Sequence, residues 1–368
     1  MTGKLVLENL KHRPMRSLLS ILLIGVPVTL ILCLVGLSHG FIEDSQRRAR
    51  GVGADILIKP KSSSMLTLGY TMPQALVEYF RKQPHVQIAT GVLNATVEGV
   101  TLGATGILPD EFNAMSGGFK YIEGGPLNGP DDTVVDDYYA SQKGYKPGHK
   151  VKMLNREWRI SGIMERGKLA HIVVPLATLQ EQTGNQGKIS QIYLKLDDPA
   201  NTDAVVKDLK SRAELEGYEG SIFALAEYMS LLTVDNIPAL RGFIIVIVAI
   251  GVVIGFSVVC LSMYMAVLQR TREIGILKSL GGSKGFILGL ILTEAVMLGV
   301  GGTILGIIMS YGAYWLIHVL QPASLPMIIV YDWWPKAGAI TIVGAVLGSL
   351  YPGLTAATQD PIEALAYE

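Results

Sequence analysis

The chain has 368 residues, and its 31 basic and 31 acidic side chains leave a formal net charge of zero. A mean hydropathy of +0.38 with 17% charged residues is too apolar for an ordinary soluble protein, and the neutral balance gives no electrostatic footprint for nucleic acid. The two cysteines, Cys33 and Cys260, lie inside apolar runs, which argues against a structural disulfide and reads as small packing residues.

Lys4, Lys11, Arg13 and Arg16 precede an uncharged run over 17–38. A helix needs about 20 apolar residues to cross a hydrocarbon core, and this run suffices. The competing reading is a cleaved signal peptide, but its apolar region spans only about 7–15 residues and ends at an A-x-A site, which is not evident here. Pro27 predicts a kink of the kind a membrane span tolerates. The polar stretch 41–50 reads as a continuation of the helix beyond the membrane.

From 40 to 238 the chain is soluble in character. Val-, Ile-, Leu- and Thr-rich pieces with period two predict strands over 54–59, 87–97, 101–108, 150–154, 158–164, 171–174 and 191–196. Helices are predicted over 73–82, with Pro73 in the first turn, and over 176–183, 203–215 and 224–232. Asn155-Arg156 lies where a hairpin should reverse, after the Pro147-Gly148 turn. The pairs Asp131-Asp132 and Asp136-Asp137 flank Val134-Val135 and read as a solvated edge rather than a carboxylate catalyst. His39, His85, His149 and His171 could meet in space, but each reads as an ordinary surface or loop histidine.

The segment 242–268 contains no Asp, Glu, Lys, Arg or His, and 286–317 contains only Glu294. As a helix the first measures about 40 Å, longer than a core of about 30 Å, so it should tilt or project. Pro322 and Pro326 break the next loop, Tyr331 and Trp333-Trp334 form an interfacial aromatic anchor, and a last apolar run covers 337–354. Glycine pairs at GxxxG spacing (251/255, 285/289, 302/306 and 344/348) predict close helix packing, within one chain or in a dimer. A carboxylate inside a span is costly and hints at function; for Glu294 a hydrogen-bonded packing role is the preferred alternative.

Between these runs lies a basic, amphipathic link. Arg270, Arg272, Lys278 and Lys284 face one Glu273, while Ile274, Ile276, Leu277 and Leu280 form an apolar stripe. Gly281-Gly282 ends that helix and Ser283 can cap the next. The basic residues before the first run and in this link place both, with the two termini, in the cytoplasm. Arg47, Arg48, Arg50 and Arg241 point the other way, but a large domain crosses the membrane largely regardless of such charge.

Thr-Arg-Glu-Ile-Gly-Ile-Leu-Lys (271–278), the Gly-Gly turn, the apolar helix bearing Glu294 and the closing Asp-Pro-Ile-Glu-Ala-Leu (360–365) resemble the MacB/FtsX/LolC-type permeases of ABC transporters. The resulting expectation is an α-helical membrane protein with four transmembrane helices, at 17–39, 239–269, 286–317 and 337–354. A mixed α+β extracytoplasmic (periplasmic) domain, 40–238, is inserted between helices 1 and 2. The remaining segments are a cytoplasmic N-terminal segment 1–16, a cytoplasmic coupling helix 270–285, an outer loop 318–336 and a cytoplasmic tail 355–368. The resemblance implies a multi-pass protein of the bacterial cytoplasmic (inner) membrane. It also implies a separate ABC ATPase subunit, a homodimer and, in some members, a membrane-fusion or other extracytoplasmic partner. By resemblance Arg272, Glu273, Ile274, Gly275, Leu277 and Lys278 lie at the ATPase contact, with Asp360, Pro361 and Leu365 near the same face.

No phosphate-binding loop is present: Gly-Gly-Ser-Lys-Gly (281–285) lacks the G-x-x-x-x-G-K-[ST] pattern and lies between apolar runs. There is no G-x-S-x-G, no H-E-x-x-H and no histidine pair at metal-ligand spacing. Neither catalysis, a metal nor a cofactor is therefore expected in this chain. Two readings stand: an exporter permease of MacB or LolC type, and an FtsX-like signalling protein that activates an extracytoplasmic partner without transport. By the resemblance, a middle domain of about 200 residues is closer to the outer domain of MacB- or LolC-type members than to that of FtsX, which favours the first.

Overall fold

The computed structural model describes residues 14–60, 70–98, 102–215, 220–320 and 325–360. They fall into two compact units.

The first unit is helical and contains four helices long and apolar enough to cross a membrane. These are α1 (Pro14–Gly51), α8 (Pro238–Gln269), α10 (Lys284–Leu320) and α11 (Trp333–Thr358), with the short α9 (Thr271–Ser279) between α8 and α10. Pro27 lies inside α1. At 1.5 Å per residue its 38 residues extend about 57 Å, so the apolar half cannot account for the whole helix. The predicted polar continuation is present as its last turns, from Gly40, which belong to the second unit.

Close packing in the helical unit depends on small residues. A Cβ on Gly306 would lie 2.6 Å from Val28 Cβ and 2.9 Å from the Gly25 carbonyl oxygen, so α1 and α10 touch backbone to backbone there. Thr29 Oγ1 donates to the Gly306 carbonyl across the same crossing, at 3.1 Å. Gly348 of α11 meets the Phe256 carbonyl of α8 in the same way, at 2.6 Å. The 302/306 pair and Gly348 are thus occupied within one chain, whereas Gly285 and Gly289 meet nothing within 4 Å. The aromatic anchor is a cluster: the Trp334 ring lies 5.0 Å from Tyr331 and 5.8 Å from Tyr311.

The second unit is built on a ten-stranded mixed sheet. Its strands are β1 (Ile56–Pro60), β3 (Val86–Glu98), β4 (Leu102–Ile107), β5 (Tyr121–Gly124), β6 (Asp132–Asp136), β7 (Lys150–Met153), β8 (Arg156–Met164), β9 (Ile172–Pro175), β11 (Gln191–Leu196) and β12 (Gly220–Ala224). The order is β12-β1-β11-β3-β4-β9-β6-β8-β5, with β7 pairing β8. Two strand pairs are parallel, β4 with β9 and β6 with β8. The β4–β9 register, Thr105 opposite Val173, joins the two halves of the sheet. Helices α2 (Leu76–Arg81), α5 (Leu176–Gln182) and α6 (Thr202–Leu215) contribute Val77, Phe80, Leu176, Leu179, Val205 and Leu209 to the core. A large apolar side chain buried in this way stabilises the fold by about 1.5–3 kcal/mol.

Several local expectations are corrected. Pro73 does not open a helix; it sits in the two-residue β2 (Met72–Pro73), paired with β10 (Lys188–Ile189), and the helix begins at Leu76. The hairpin reverses at Leu154-Asn155, whose φ values of +50° and +59° suit a two-residue turn, one position before the predicted pair. Helices α3 (Pro109–Ser116) and α4 (Asp137–Lys143) were not predicted, although Pro109 and Gly117 at φ +72° bracket α3 with ordinary start and stop signals. β6 is no solvated edge. It lies between β9 and β8 with all five residues buried. Its carboxylates tolerate this because each is satisfied: Asp132 accepts from Asn128 N, Gly129 N and Arg159, and Asp136 caps α4 through Tyr139 N. The last of the helices, α7 (Leu225–Leu231), leads into α8.

Candidate functional site

The short helix α9 is fastened to its own unit along one side. Thr271 Oγ1 donates to the Val267 carbonyl at 3.1 Å and to the Leu268 carbonyl at 3.0 Å, capping the end of α8. Ile274 and Gly275 are buried, and Ile274 packs in a cluster with Val267, Ile287 and Ile291. Gly281, at φ +96°, turns the chain, and Ser283 Oγ accepts from Phe286 N as the cap of α10. The opposite side of α9 is open. Arg272 and Glu273 are exposed, and Ile276, Leu277 and Leu280 remain 45%, 36% and 80% accessible.

Arg270 Nη2 donates to Glu294 Oε2 at 2.6 Å, and the Glu294 side chain is 3% accessible. The carboxylate inside α10 is therefore charge-paired, and its partner is the residue that opens α9. Both line an apolar cavity of about 320 Å³ with Ile274, Leu277, Phe286 and Leu290. Lys278 ties α9 to another helix of its own unit. Its ammonium donates to the Ala357 carbonyl at 3.0 Å and to the Gln359 carbonyl, holding the end of α11 against α9. The favourable field at a helix C-terminus explains why a lysine is accommodated there. This brings the residue before Asp360 to α9; Pro361 and Leu365 lie outside the described residues.

The α+β unit holds a second charged cluster. Arg48, near the end of α1, donates from Nε to Asp44 at 2.6 Å and from Nη2 to Asp136 at 3.3 Å. The same Nη2 lies 3.0 Å from His171 Nε2, while His171 Nδ1 lies 2.7 Å from Asp136. His171 is thus a buried partner and not a surface histidine, because Arg48 and Asp136 both lie against its ring. Its pairing was illegible in sequence, since the residues are 35 and 123 positions apart from it. Burial raises the Asp136 pKa, but the hydrogen bond and charge of His171, the Arg48 charge and the Tyr139 amide outweigh it, and the net shift is downward from 3.8. A depressed carboxylate contributes stability that is complete above its unfolded value and is lost as pH falls through its folded one. The stability gap between wild type and Asp136→Asn in urea unfolding should therefore be full at pH 6 and close below 3.8. A gap independent of pH would refute this assignment.

Among the described residues no group of three or more His, Cys, Asp or Glu could hold a metal ion.

Comparison with known proteins agrees with this architecture. The MacB-like periplasmic core domain matches residues 17–212, and the FtsX-like permease C-terminal domain matches residues 245–361. The macrolide export ATP-binding/permease protein MacB of Acinetobacter baylyi is 22% identical over 399 residues, covering 99% of this chain and 59% of that protein. The uncharacterized ABC transporter permease YknZ of Bacillus subtilis is 30% identical over 229 residues, covering 60% and 55%. The uncharacterized ABC transporter permease MJ1507 of Methanocaldococcus jannaschii is 24% identical over 254 residues, covering 63% of each. The chain thus spans about six tenths of the length of these relatives. Among solved structures, the periplasmic region of MacB from Actinobacillus actinomycetemcomitans aligns with a TM-score of 0.38 at 17% identity, covering 48% of this chain and 92% of that one. The apolar helices and the two matched domains make this a membrane protein with an extracytoplasmic domain between its first and second spans. The chain belongs to the MacB/FtsX-type family of ABC transporter permeases.

Proposed function

We propose that this permease couples ATP hydrolysis by a partner ATPase to motion of its extracytoplasmic domain, and so drives export or extraction of a substrate. The observation that carries the reading is α9: an apolar face open at Ile276, Leu277 and Leu280, backed by anchors to α8, α10 and α11. A helix presented in this way suits a groove on a second protein, and its anchors would pass a displacement to three long helices at once. Ile274 is removed from the proposed contact, since its own chain buries it. Arg272 and Glu273, both exposed, serve as rim charges.

Leu277→Asp should lower capture of the ATPase about tenfold, the scale of a central anchor, in a protein that still inserts normally. Lys284→Gln, beyond the contact, should leave capture nearly unchanged. Unaltered capture and turnover with Leu277→Asp would show that the stripe rests on lipid instead.

The same reading places α9 and both termini in the cytoplasm, from the charge bias. Reporters inserted at Gly187 and Gly282 should therefore lie on opposite sides of the membrane; the same side for both would end the coupling model. Two permease copies per complex follow from the family resemblance, and the glycine support narrows to the open pair Gly285/Gly289. The second reading, FtsX-like activation of an extracytoplasmic partner, uses the same coupling and differs in what the domain does with it.

A further inference from the structure

We propose that Arg48, with Asp44, Asp136 and His171, is the joint through which displacement of α1 reaches the sheet of the extracytoplasmic domain; the inference rests on the coupling reading above. α1 is a single helix from Pro14 to Gly51, and its last turns lie in the α+β unit. A helix passes on a push or a twist only where its far end is gripped in register. Apolar side chains pack without direction, whereas a planar guanidinium with several partners fixes both position and rotation.

The grip falls at two neighbouring interior strands of the sheet. Asp136 ends β6 and His171 immediately precedes β9, and the Asp136 amide donates to the His171 carbonyl at 2.9 Å. β9 is also the strand whose pairing with β4 joins the two halves of the sheet. The end of α1 is seated there by a second contact, because a Cβ on Gly51 would collide with the Gly167 carbonyl. Gln46, on another side of α1, donates to the Met229 and Leu232 carbonyls, each at 2.9 Å, at the end of the helix that leads into α8. Neighbouring charges are already committed: Arg47 to Glu43, Arg166 to Asp137, and Lys168 to the Ser116 carbonyl.

Stability alone is a poor reason for such a cluster. Buried ion pairs often contribute no more than well-packed apolar residues of the same volume. Arg48 Nη1 is buried with no partner among the described residues, an arrangement an apolar replacement would avoid. What the cluster supplies is a fixed geometry, and Arg48 is accordingly a positioning residue.

The test uses the full chain with its ATPase in lipid nanodiscs, with Cys33 and Cys260 replaced by alanine. Spin labels at Ser283 and Glu43 report α1, and labels at Ser283 and Lys152 report the sheet; all three positions are exposed. A non-hydrolysable ATP analogue should shift both distances in the wild type. In Arg48→Met combined with Asp136→Asn, which removes both members of the buried pair, the Glu43 shift should persist while the Lys152 shift loses more than half its size. Asp44→Asn, at the accessible side of the cluster, should give a smaller loss of the same Lys152 shift should the double variant not fold. A cluster that only stabilises the domain would lower the melting temperature and leave both shifts intact, which would overturn the joint. No shift of either pair in the wild type would overturn the coupling reading and the joint with it, so the two failures are distinguishable.

Discussion

Arg270→Ala should be among the most damaging single substitutions in this chain, destabilising it by about 3–5 kcal/mol, the usual cost of breaking a buried ion pair. The variant deprives a nearly inaccessible carboxylate inside a span of the guanidinium 2.6 Å away. It also detaches the N-cap residue of α9 from α10, so the short helix loses one of its three anchors. Arg270→Met combined with Glu294→Met should recover most of the stability, because two apolar side chains pack where two charges had to be matched. Should the coupling reading hold, the double variant will bind the ATPase and yet respond weakly to it, since stability returns but the directional tie does not. Thermal unfolding in detergent measures the first effect, and ATP-dependent turnover the second. Equal melting temperatures for wild type and Arg270→Ala would show that the ion pair is incidental.

Gly306→Leu should cost about 3 kcal/mol, at the upper end of the ordinary range for overpacking. Side-chain rearrangement cannot relieve the clash fully, because one of the atoms a Cβ would meet is the Gly25 carbonyl oxygen at 2.9 Å. α1 and α10 must separate, and the Thr29 hydrogen bond to the Gly306 carbonyl is lost with them. Gly289→Leu, on the same helix with nothing within 4 Å, is the matched control and should leave the isolated chain's melting temperature close to wild type. If both variants melt alike, the close crossing does not hold the bundle. If Gly289→Leu instead separates two copies of the chain, the open pair is the contact between them.

The long-wavelength features of this protein are legible in its sequence, since they depend on composition over many residues. Apolar runs of about 18 or more residues define the four apolar helices whatever their neighbours, because only a helix satisfies its own backbone hydrogen bonds in hydrocarbon. The basic link 270–285 stands out for the same reason, as does the strand-rich middle. β11 was predicted residue for residue, because its alternation is local. Features that depend on partners far along the chain were not legible. The Asp-Asp pairs around Val134-Val135 read as exposed because unpaired carboxylates avoid burial. Only the fold brings Arg48 and Arg159 to them and makes β6 an interior strand. Ile274 and Leu277 look alike on a helical wheel, yet packing buries the first in this chain and leaves the second open. Glu294 read as a hydrogen-bonded packing residue, but only the tertiary structure identified its partner as Arg270, 24 residues away. Hydropathy and local period are properties of a segment and can be read from it, whereas burial and charge pairing are properties of a neighbourhood and exist only once the chain has folded.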